Sequence, residues 1–250
     1  MGTVVSFDVP ASAGPDGSLD AAIRWLHWVD RVFSPYRSDS DVSRLAAGEV
    51  TVGDCVPEMA EVIEECAFVS ELSGGYFTTS PWGRFDPTGY VKGWAVERAA
   101  AILSAAGSQS HLVNGGGDVQ CAGGHLAARE PGQAAPVVPW RVGIADPFNR
   151  GRIAMVVEAA DCGVATSGTA ERGAHIVNPR AGKPAAGLAS LTVTGPSLAL
   201  ADACATAAFA MGPTLARDWT ESLDGYEAFA ITETGDTWQT HGFAGRVVES

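Results

Sequence analysis

Residues 197–212, SLALADACATAAFAMG, give the strongest indication of how this chain folds. Pro196 precedes the stretch and Ser197 is a suitable N-cap, so the sequence predicts a helix that ends near Gly212. Apolar side chains surround this helix on almost every side, which is typical of a helix buried in a protein core. We therefore expect the rest of the chain to pack around it.

Two polar residues of this helix, Asp202 and Thr206, are four positions apart and share one face. A buried carboxylate needs a charged partner or a metal, because desolvating an unpaired charge is very costly. A carboxylate and a hydroxyl supply the oxygen ligands that Mg²⁺ prefers. The alternative is an ion pair between Asp202 and a distant arginine, with Thr206 bonded to its own helix. The spacing alone leaves both interpretations open.

The amino-acid composition bears on the size of the fold and argues against two classes of protein. The chain has 250 residues, 46% of them hydrophobic, which is enough for one large domain or two closely packed halves. A net charge of −13 argues against a general nucleic-acid binder, which needs a basic surface to meet phosphates. The sequence contains no apolar run of transmembrane length, so we expect no direct membrane insertion.

The first residues, MGTVVSFDV, alternate like a strand and show neither a basic n-region nor a cleavage site. We therefore expect a cytoplasmic protein. The cysteines are scattered and lack CxxC spacing, which argues against a disulfide framework and against structural zinc. Their positions are 55, 66, 121, 162 and 204.

Strand-like segments occur in hairpin-like pairs with helical segments between them, which indicates an α+β fold rather than a doubly wound sheet. The expected helices are 19–33, 57–73, 91–106, 197–212 and 213–223. The expected strands are 3–9, 140–145, 153–160, 163–167, 188–194, 226–232 and 238–241, and residues 110–119 are expected to form a short strand that leads into a Gly-rich turn. Residues 34–45 are expected to be turn-like, and residues 124–139 to form a loop.

Two short motifs could meet an anionic ligand. The glycines of Asn114–Asp118, NGGGD, would let backbone amides approach a phosphate, although a tight turn is the preferred interpretation. Lys92 stands near the start of a predicted helix, where the helix dipole disfavours a cation. Its anionic partner could be a phosphate or simply Asp86, and the sequence does not distinguish them.

A polar loop and several aromatic residues are further candidates. The segments 166–172 and 175–180 place His175 among hydroxyls and arginines between two apolar strands. Tyr36, Tyr76 and Phe77 lie at turns and could line a pocket for a flat ring, or serve only in packing.

Taken together, eight segments resemble the ApbE family of FAD:protein FMN transferases, in the order of that family. They are MGT at 1–3, FSPYRSDSDVSRL at 33–45, GGYFT at 74–78, DPTGYVKGWAVERA at 86–99, LVNGGGDV at 112–119, VATSGTAER at 164–172, HIVNPRAGKP at 175–184 and ADACAT at 201–206. The resemblance implies a single ApbE-type domain over residues 1–250. It also implies an α+β fold, with T-fold-like mixed sheets packed with helices in two closely packed halves.

The resemblance implies a Mg²⁺-dependent reaction in which FMN passes from FAD to a Thr or Ser hydroxyl of an acceptor flavoprotein. A phosphoester bond forms and AMP is released. Two alternatives stay open at this stage. One is a Mg²⁺-dependent FAD pyrophosphatase that yields FMN and AMP, and the other is a flavin-binding protein without turnover. A flavin oxidoreductase is disfavoured, because the sequence lacks a dinucleotide-binding fingerprint.

Individual roles also follow from the resemblance. It assigns metal binding to Asp202, Thr206 and the backbone carbonyl of Gly89, and proton transfer to His175, with Asp202 as the second catalytic residue. The positions matched to FAD contacts are Met1, Tyr36, Tyr76, Phe77, Thr78, Asp86, Lys92 and Ile176.

The chain departs from the family pattern at several positions. Asn178 replaces an Asp and Ala181 replaces a Thr in the stretch that follows His175. Ala205 stands where some members carry a second acidic residue. The segment between Phe77 and Asp86 is short, so we expect a more open pocket.

Overall fold

The structure is a computed structural model that describes residues 2–10, 17–126, 137–169 and 176–246. The α-helices of these residues are α1 (Ser18–Phe33), α2 (Asp41–Ala46), α3 (Pro57–Leu72), α4 (Thr88–Ala105), α5 (Leu198–Met211) and α6 (Pro213–Glu221). The five predicted helices are confirmed. The turn-like expectation for 34–45 is wrong in part, because Ser40 caps α2 by accepting a hydrogen bond from the N–H of Ser43.

Among the described residues, one strand precedes helices α1 to α4, ten strands lie between α4 and α5, and two strands follow α6. They are β1 (Val5–Asp8), β2 (His111–Gly115), β3 (Asp118–Ala122), β4 (His125–Leu126), β5 (Val137–Val138), β6 (Trp140–Ala145), β7 (Ile153–Ala159), β8 (Gly163–Gly168), β9 (Val177–Asn178), β10 (Lys183–Pro184), β11 (Leu188–Gly195), β12 (Glu227–Thr232) and β13 (Thr237–Gln239). Seven of them form one antiparallel sheet in the order β1-β2-β3-β8-β11-β12-β13. The α+β prediction is confirmed.

The central sheet is covered on both faces. Neighbouring residues of one strand belong to different hydrophobic clusters, because successive side chains of a strand point to opposite faces. Ala165 and Ala228 join the cluster built with the helices. Val164 and Phe229 join the second cluster, which contains side chains of the β6–β7 hairpin. All eight residues of β11 are consequently buried.

Helix α5 packs against α4 on the helical side of the sheet. Ser197 caps α5 by accepting a hydrogen bond from the N–H of Leu200, as predicted. The carboxylate of Glu97 in α4 accepts hydrogen bonds from the Ser197 hydroxyl and the Ala199 N–H, each over 2.8 Å. These bonds satisfy donors at the N-terminus of α5 and fix the two helices to one another.

The glycine motif is a hairpin turn between β2 and β3, which confirms the expected short strand leading into a Gly-rich turn. Gly116 and Gly117 adopt φ values of 65° and 99°, which a residue with a Cβ rarely reaches. The N–H of Gly117 donates to the Asn114 side chain over 2.9 Å, and that of Gly116 donates to the carbonyl of Val4 over 3.2 Å. These two amides are therefore engaged within the protein, which favours the turn over a phosphate cradle.

Three expectations concern membrane-spanning helices, the cysteines and the loop at 124–139. None of the described helices is long and apolar enough to cross a membrane. The five cysteines are not joined in disulfides in the structure. Within the expected loop at 124–139, residues 127–136 lie outside the described residues, while the flanking strands β4 and β5 pair with each other.

Candidate functional site

A cavity of about 300 Å³ opens beside the junction of α4 and α5. Its volume is within the range of small-molecule sites. The lining residues are Tyr76, Phe77, Thr78, Pro81, Asp86, Thr88, Gly89, Lys92, Gly116, Gly117, Gly143, Ala145, Asp146, Pro147, Thr166, Ser167, Gly168, Ile176, Val177, Ala189, Ser190, Asp202 and Thr206. The cavity thus brings together segments that are far apart in the sequence.

The three residues predicted to hold a metal all line this cavity. A methyl group placed on Gly89 would lie 3.7 Å from a side-chain carbon of Thr206 and 3.2 Å from the ring of Phe77. Glycine at this position therefore leaves room for the Phe77 ring at the start of α4. The Asp202 carboxylate, the Thr206 hydroxyl and the Gly89 carbonyl are oxygen donors, which is the ligand chemistry of Mg²⁺.

Asp202 is buried and only 2% exposed. Its Oδ2 accepts a hydrogen bond from the backbone N–H of Gly93 over 2.9 Å, and its Oδ1 lies 3.5 Å from Nζ of Lys92. The cationic neighbour is thus a lysine, not the distant arginine of the alternative interpretation. The Thr206 hydroxyl lies 3.3 Å from that of Ser167 in β8.

Lys92 forms a second, closer ion pair with Asp118 at the start of β3. Asp86, the alternative partner considered from the sequence, instead accepts a hydrogen bond from the N–H of Thr88 over 2.9 Å and so caps α4. Sequence reasoning did not single out Asp118, although it belongs to the glycine motif. Its distance in sequence from α4 gave no signal of the contact.

Two buried carboxyl groups and one ammonium meet at this point. With both carboxyl groups ionised, Asp118, Asp202 and Lys92 would together carry one net negative charge. Burial raises the pKa of Asp202 well above its ordinary value of 3.8, Lys92 opposes that shift, and the nearby charge of Asp118 adds to it. A further cation here would favour the charged carboxylate, which fits a divalent metal ion.

The part of the chain that the structure describes contains no group of three or more His, Cys, Asp or Glu side chains that could hold a metal. The proposed site differs from such a group, because it consists of one carboxylate, one hydroxyl and one backbone carbonyl. Such a set leaves room for ligand oxygens and water, which Mg²⁺ usually retains.

The positions matched to FAD contacts divide into three groups. Those that line the cavity are Tyr76, Phe77, Thr78, Asp86, Lys92 and Ile176. Tyr36 is not among the described residues that line it; its side chain is 80% exposed and lies close to Gly2. Met1 and the expected catalytic residue His175 lie outside the described residues, although Ile176, the next residue after His175, lines the cavity.

Arg180 orients one aromatic wall of the cavity. Its guanidinium lies 4.7 Å from the centre of the Tyr76 ring and donates a hydrogen bond to the carbonyl of Gly74 over 2.6 Å. A guanidinium stacked on an aromatic face is a favourable arrangement. The loop after β9 thereby fixes the position of Tyr76.

Asn178, which replaces an Asp of the family pattern, organises the turn that follows it. Its side-chain oxygen accepts hydrogen bonds from the backbone N–H groups of Arg180 and Ala181, each over 3.0 Å. An amide oxygen serves this turn as a carboxylate oxygen would.

Sequence reasoning missed one wall of the cavity, which the β6–β7 hairpin supplies through Gly143, Ala145, Asp146 and Pro147. Asp146 accepts hydrogen bonds from the N–H groups of Phe148 and Asn149. An Asp-Pro turn of this kind occurs in many surface hairpins, so its sequence gave no indication of a site.

Comparison with known proteins identifies the family. A family model described as the ApbE family matches residues 1–82 and 80–230. The chain belongs to the ApbE family. The resemblance drawn from the eight segments is thereby confirmed.

Curated relatives carry names of this family. A protein of Rhodobacter capsulatus named "FAD:protein FMN transferase" is 31% identical over 217 residues, which cover 82% of this chain and 36% of that protein. An Escherichia coli K12 protein of the same name is 28% identical over 159 residues, covering 60% of this chain and 42% of that one. The aligned parts of the chain thus span less than half the length of these two relatives.

Solved ApbE structures share the fold. The flavin transferase ApbE of Vibrio cholerae superposes with a TM-score of 0.82 at 21% identity, covering 98% of this chain and 96% of that chain. The flavinyl transferase ApbE of Pseudomonas stutzeri, in its apo form, gives a TM-score of 0.76 at 23% identity, with coverages of 99% and 97%.

Proposed function

We propose that this chain is a Mg²⁺-dependent FAD:protein FMN transferase, with residues 1–250 working as one domain. The observation that carries the proposal is the convergence of Asp202, Thr206, Gly89 and Lys92 on one cavity that also has aromatic walls. The names of the relatives support the reaction, and the cavity supplies groups suited to a pyrophosphate and to a flat ring.

Asp202, Thr206 and the Gly89 carbonyl would hold Mg²⁺. When bound, the ion would neutralise charge that develops on the pyrophosphate. Gly93 and Lys92 keep the Asp202 carboxylate in place through the contacts described above. Preorganised oxygen donors are an advantage here, since little rearrangement is then needed for binding.

Lys92 would contact a phosphate of FAD. Its side chain is 21% exposed and lines the cavity, so its ammonium can meet an anion without leaving the protein interior. Tyr76, Phe77 and Ile176 offer aromatic and apolar surface for the ring system. Arg180 restrains the Tyr76 ring for this purpose.

In the reaction, the acceptor hydroxyl oxygen attacks the phosphorus of the FMN half of FAD. A phosphoester P–O bond forms, the P–O bond of the pyrophosphate breaks, and AMP leaves with the bonding electron pair. The hydroxyl proton passes to a general base, for which His175 is our candidate on the basis of the family resemblance.

The acceptor would be a flavoprotein that presents a Thr or Ser hydroxyl at the cavity. We further propose that the reaction takes place in the cytoplasm. The scattered cysteines, which the structure does not join in disulfides, support a reducing compartment.

The test incubates the purified chain with FAD and Mg²⁺, with and without a domain that carries the acceptor motif of the family. AMP is quantified, and the mass of the acceptor is measured. We expect AMP release that requires both Mg²⁺ and acceptor, with one FMN added to the acceptor. EDTA should stop the reaction.

Two results would contradict the proposal. AMP release at the same rate without acceptor would assign the chain as an FAD pyrophosphatase. FAD binding without AMP release under any condition would leave a flavin-binding protein.

A further inference from the structure

Lys92 is held between two buried carboxylates that come from different elements. Asp202 lies on α5 and Asp118 at the start of β3, and they are 2% and 1% exposed. The contact of Lys92 with Asp118 is much the closer one, while its Nζ lies 3.5 Å from Oδ1 of Asp202. Asp118 is not one of the residues that line the cavity, whereas Lys92 and Asp202 are.

Asp118 is itself held rigidly. Its Oδ1 accepts a hydrogen bond from the backbone N–H of Thr166 in β8, over 3.0 Å. The other oxygen, Oδ2, faces Lys92. One side chain therefore connects β3, β8 and α4 directly behind the cavity wall.

The arrangement creates a competition for Lys92. Without Asp118, Lys92 would be drawn more strongly to Asp202, the other carboxylate that the described residues place beside it, because an uncompensated buried charge is costly. Lys92 would then occupy the position where a cation should bind and would withdraw from the cavity. Asp118 opposes this movement by providing a closer counter-ion.

We propose that Asp118 is a positioning residue that holds Lys92 at the cavity and keeps Asp202 available for a metal ion. This inference rests on the proposed function, since it takes FAD phosphates as the partner of Lys92. Asp118 acts through Lys92 and touches neither ligand.

Asp118→Asn is the variant of choice, because the amide oxygen can still accept the Thr166 hydrogen bond. FAD binding is measured in EDTA by the change in flavin fluorescence. Removing a negative charge near an anion site should, by simple electrostatics, strengthen binding. Loss of positioning should weaken it, and we expect about tenfold weaker binding, a typical coupling for charges in contact. Unchanged or tighter FAD binding would overturn the proposal.

The same substitution in a Lys92→Gln background is the matched control. We expect Lys92→Gln/Asp118→Asn to bind FAD no more weakly than Lys92→Gln, since Asp118 no longer has a lysine to hold. A further loss of affinity in the double variant would mean that Asp118 acts independently of Lys92 and would overturn the proposal. The double variant can still be compared with Lys92→Gln if Asp118→Asn alone does not fold. Circular dichroism would reveal such a failure to fold.

Metal binding gives a second readout. Mn²⁺ is the probe, and the electron paramagnetic resonance signal of the unbound ion shows how much Mn²⁺ the protein has bound. Asp118→Asn should weaken Mn²⁺ binding by a larger factor in the presence of Lys92 than in the Lys92→Gln background. Equal factors would show Asp118 to be only a background charge. If these results are obtained while the wild-type chain neither transfers FMN nor releases AMP, the proposed function fails and the positioning role stands.

Discussion

The backbone N–H of Gly93 in α4 donates a hydrogen bond to Oδ2 of Asp202 in α5 over 2.9 Å. In a regular α-helix this N–H would donate to the carbonyl of Gly89, four residues earlier. The bond therefore links one proposed metal ligand, Asp202, to the helical turn that carries another, Gly89. It is possible because the helices approach closely: a Cβ on Gly93 would lie 2.6 Å from the carbonyl oxygen of Leu198 and 2.9 Å from Cβ of Asp202.

Gly93→Ala should separate α4 from α5. We expect a loss of stability of about 1–3 kcal/mol, typical of overpacking, together with weaker Mn²⁺ binding because Asp202 is displaced. Thermal unfolding and Mn²⁺ titration check this. Gly53→Ala is the control, because an added Cβ there comes no nearer than 3.8 Å to another atom. Equal stability of the two variants would contradict the close packing.

Asp202→Asn should leave the fold intact and remove metal-dependent activity. The amide oxygen can still accept the Gly93 hydrogen bond, but the charge that would attract the cation is gone. We expect AMP release to fall by about a hundredfold or more, as when an electrostatic group is removed from a phosphoryl-transfer site. Asp146→Asn changes a carboxyl group on another wall of the same cavity and should retain most activity. Full activity of Asp202→Asn would exclude Asp202 as a metal ligand.

Asn178→Ala and Asn178→Asp should separate hydrogen bonding from charge. The side-chain oxygen accepts two backbone N–H groups, so alanine should cost about 1–2 kcal/mol while aspartate stays close to the wild type. Unfolding by urea measures both. If alanine is as stable as the wild type, the turn does not depend on this side chain.

His111 should make stability depend on pH. It is fully buried, and burial lowers the pKa of its imidazole below the ordinary value of 6.5. The unfolded chain therefore binds a proton that the folded chain resists, so this contribution to stability is complete above pH 6.5 and is lost as the pH falls toward the folded pKa.

We expect the free energy of unfolding of the wild type to decrease between pH 7 and pH 5 through this residue. In His111→Gln this decrease should be smaller. Urea unfolding at each pH measures it, and parallel pH profiles of the two proteins would contradict the assignment.

The parts of the fold that the sequence predicted are those with strong local signals. The apolar surface and Ser197 cap identified α5, and the alternation of 140–145 and 153–160 identified the hairpin that β6 and β7 form. Helix α2 was missed because six residues are too short to show helical periodicity. The turn at Gly116 was predicted from its glycines, whereas strand β3, which follows it, was missed because five residues are too few to show a clear alternation.

The candidate site was predictable only where its residues are close in sequence. Asp202 and Thr206 share one helical face, so their common position followed from the spacing. The pairing of Lys92 with Asp118 joins a helix to a strand through the tertiary fold, and no local pattern encodes it. The cavity wall at Asp146 depends on how the hairpin lies across the central sheet, which again is a tertiary property.

The cavity walls differ in how they are built. The proposed cation ligands belong to α4 and α5, two tightly packed helices, whereas other walls come from the hairpin tip at Asp146–Pro147 and the short segment at Thr78–Pro81. Sequence change should therefore be tolerated unequally around one site, since loops accept substitutions and insertions that packed helices do not. If the proposed function is correct, the rim that would meet the acceptor is free to diverge in sequence, while the proposed cation ligands are constrained by the packing of the two helices.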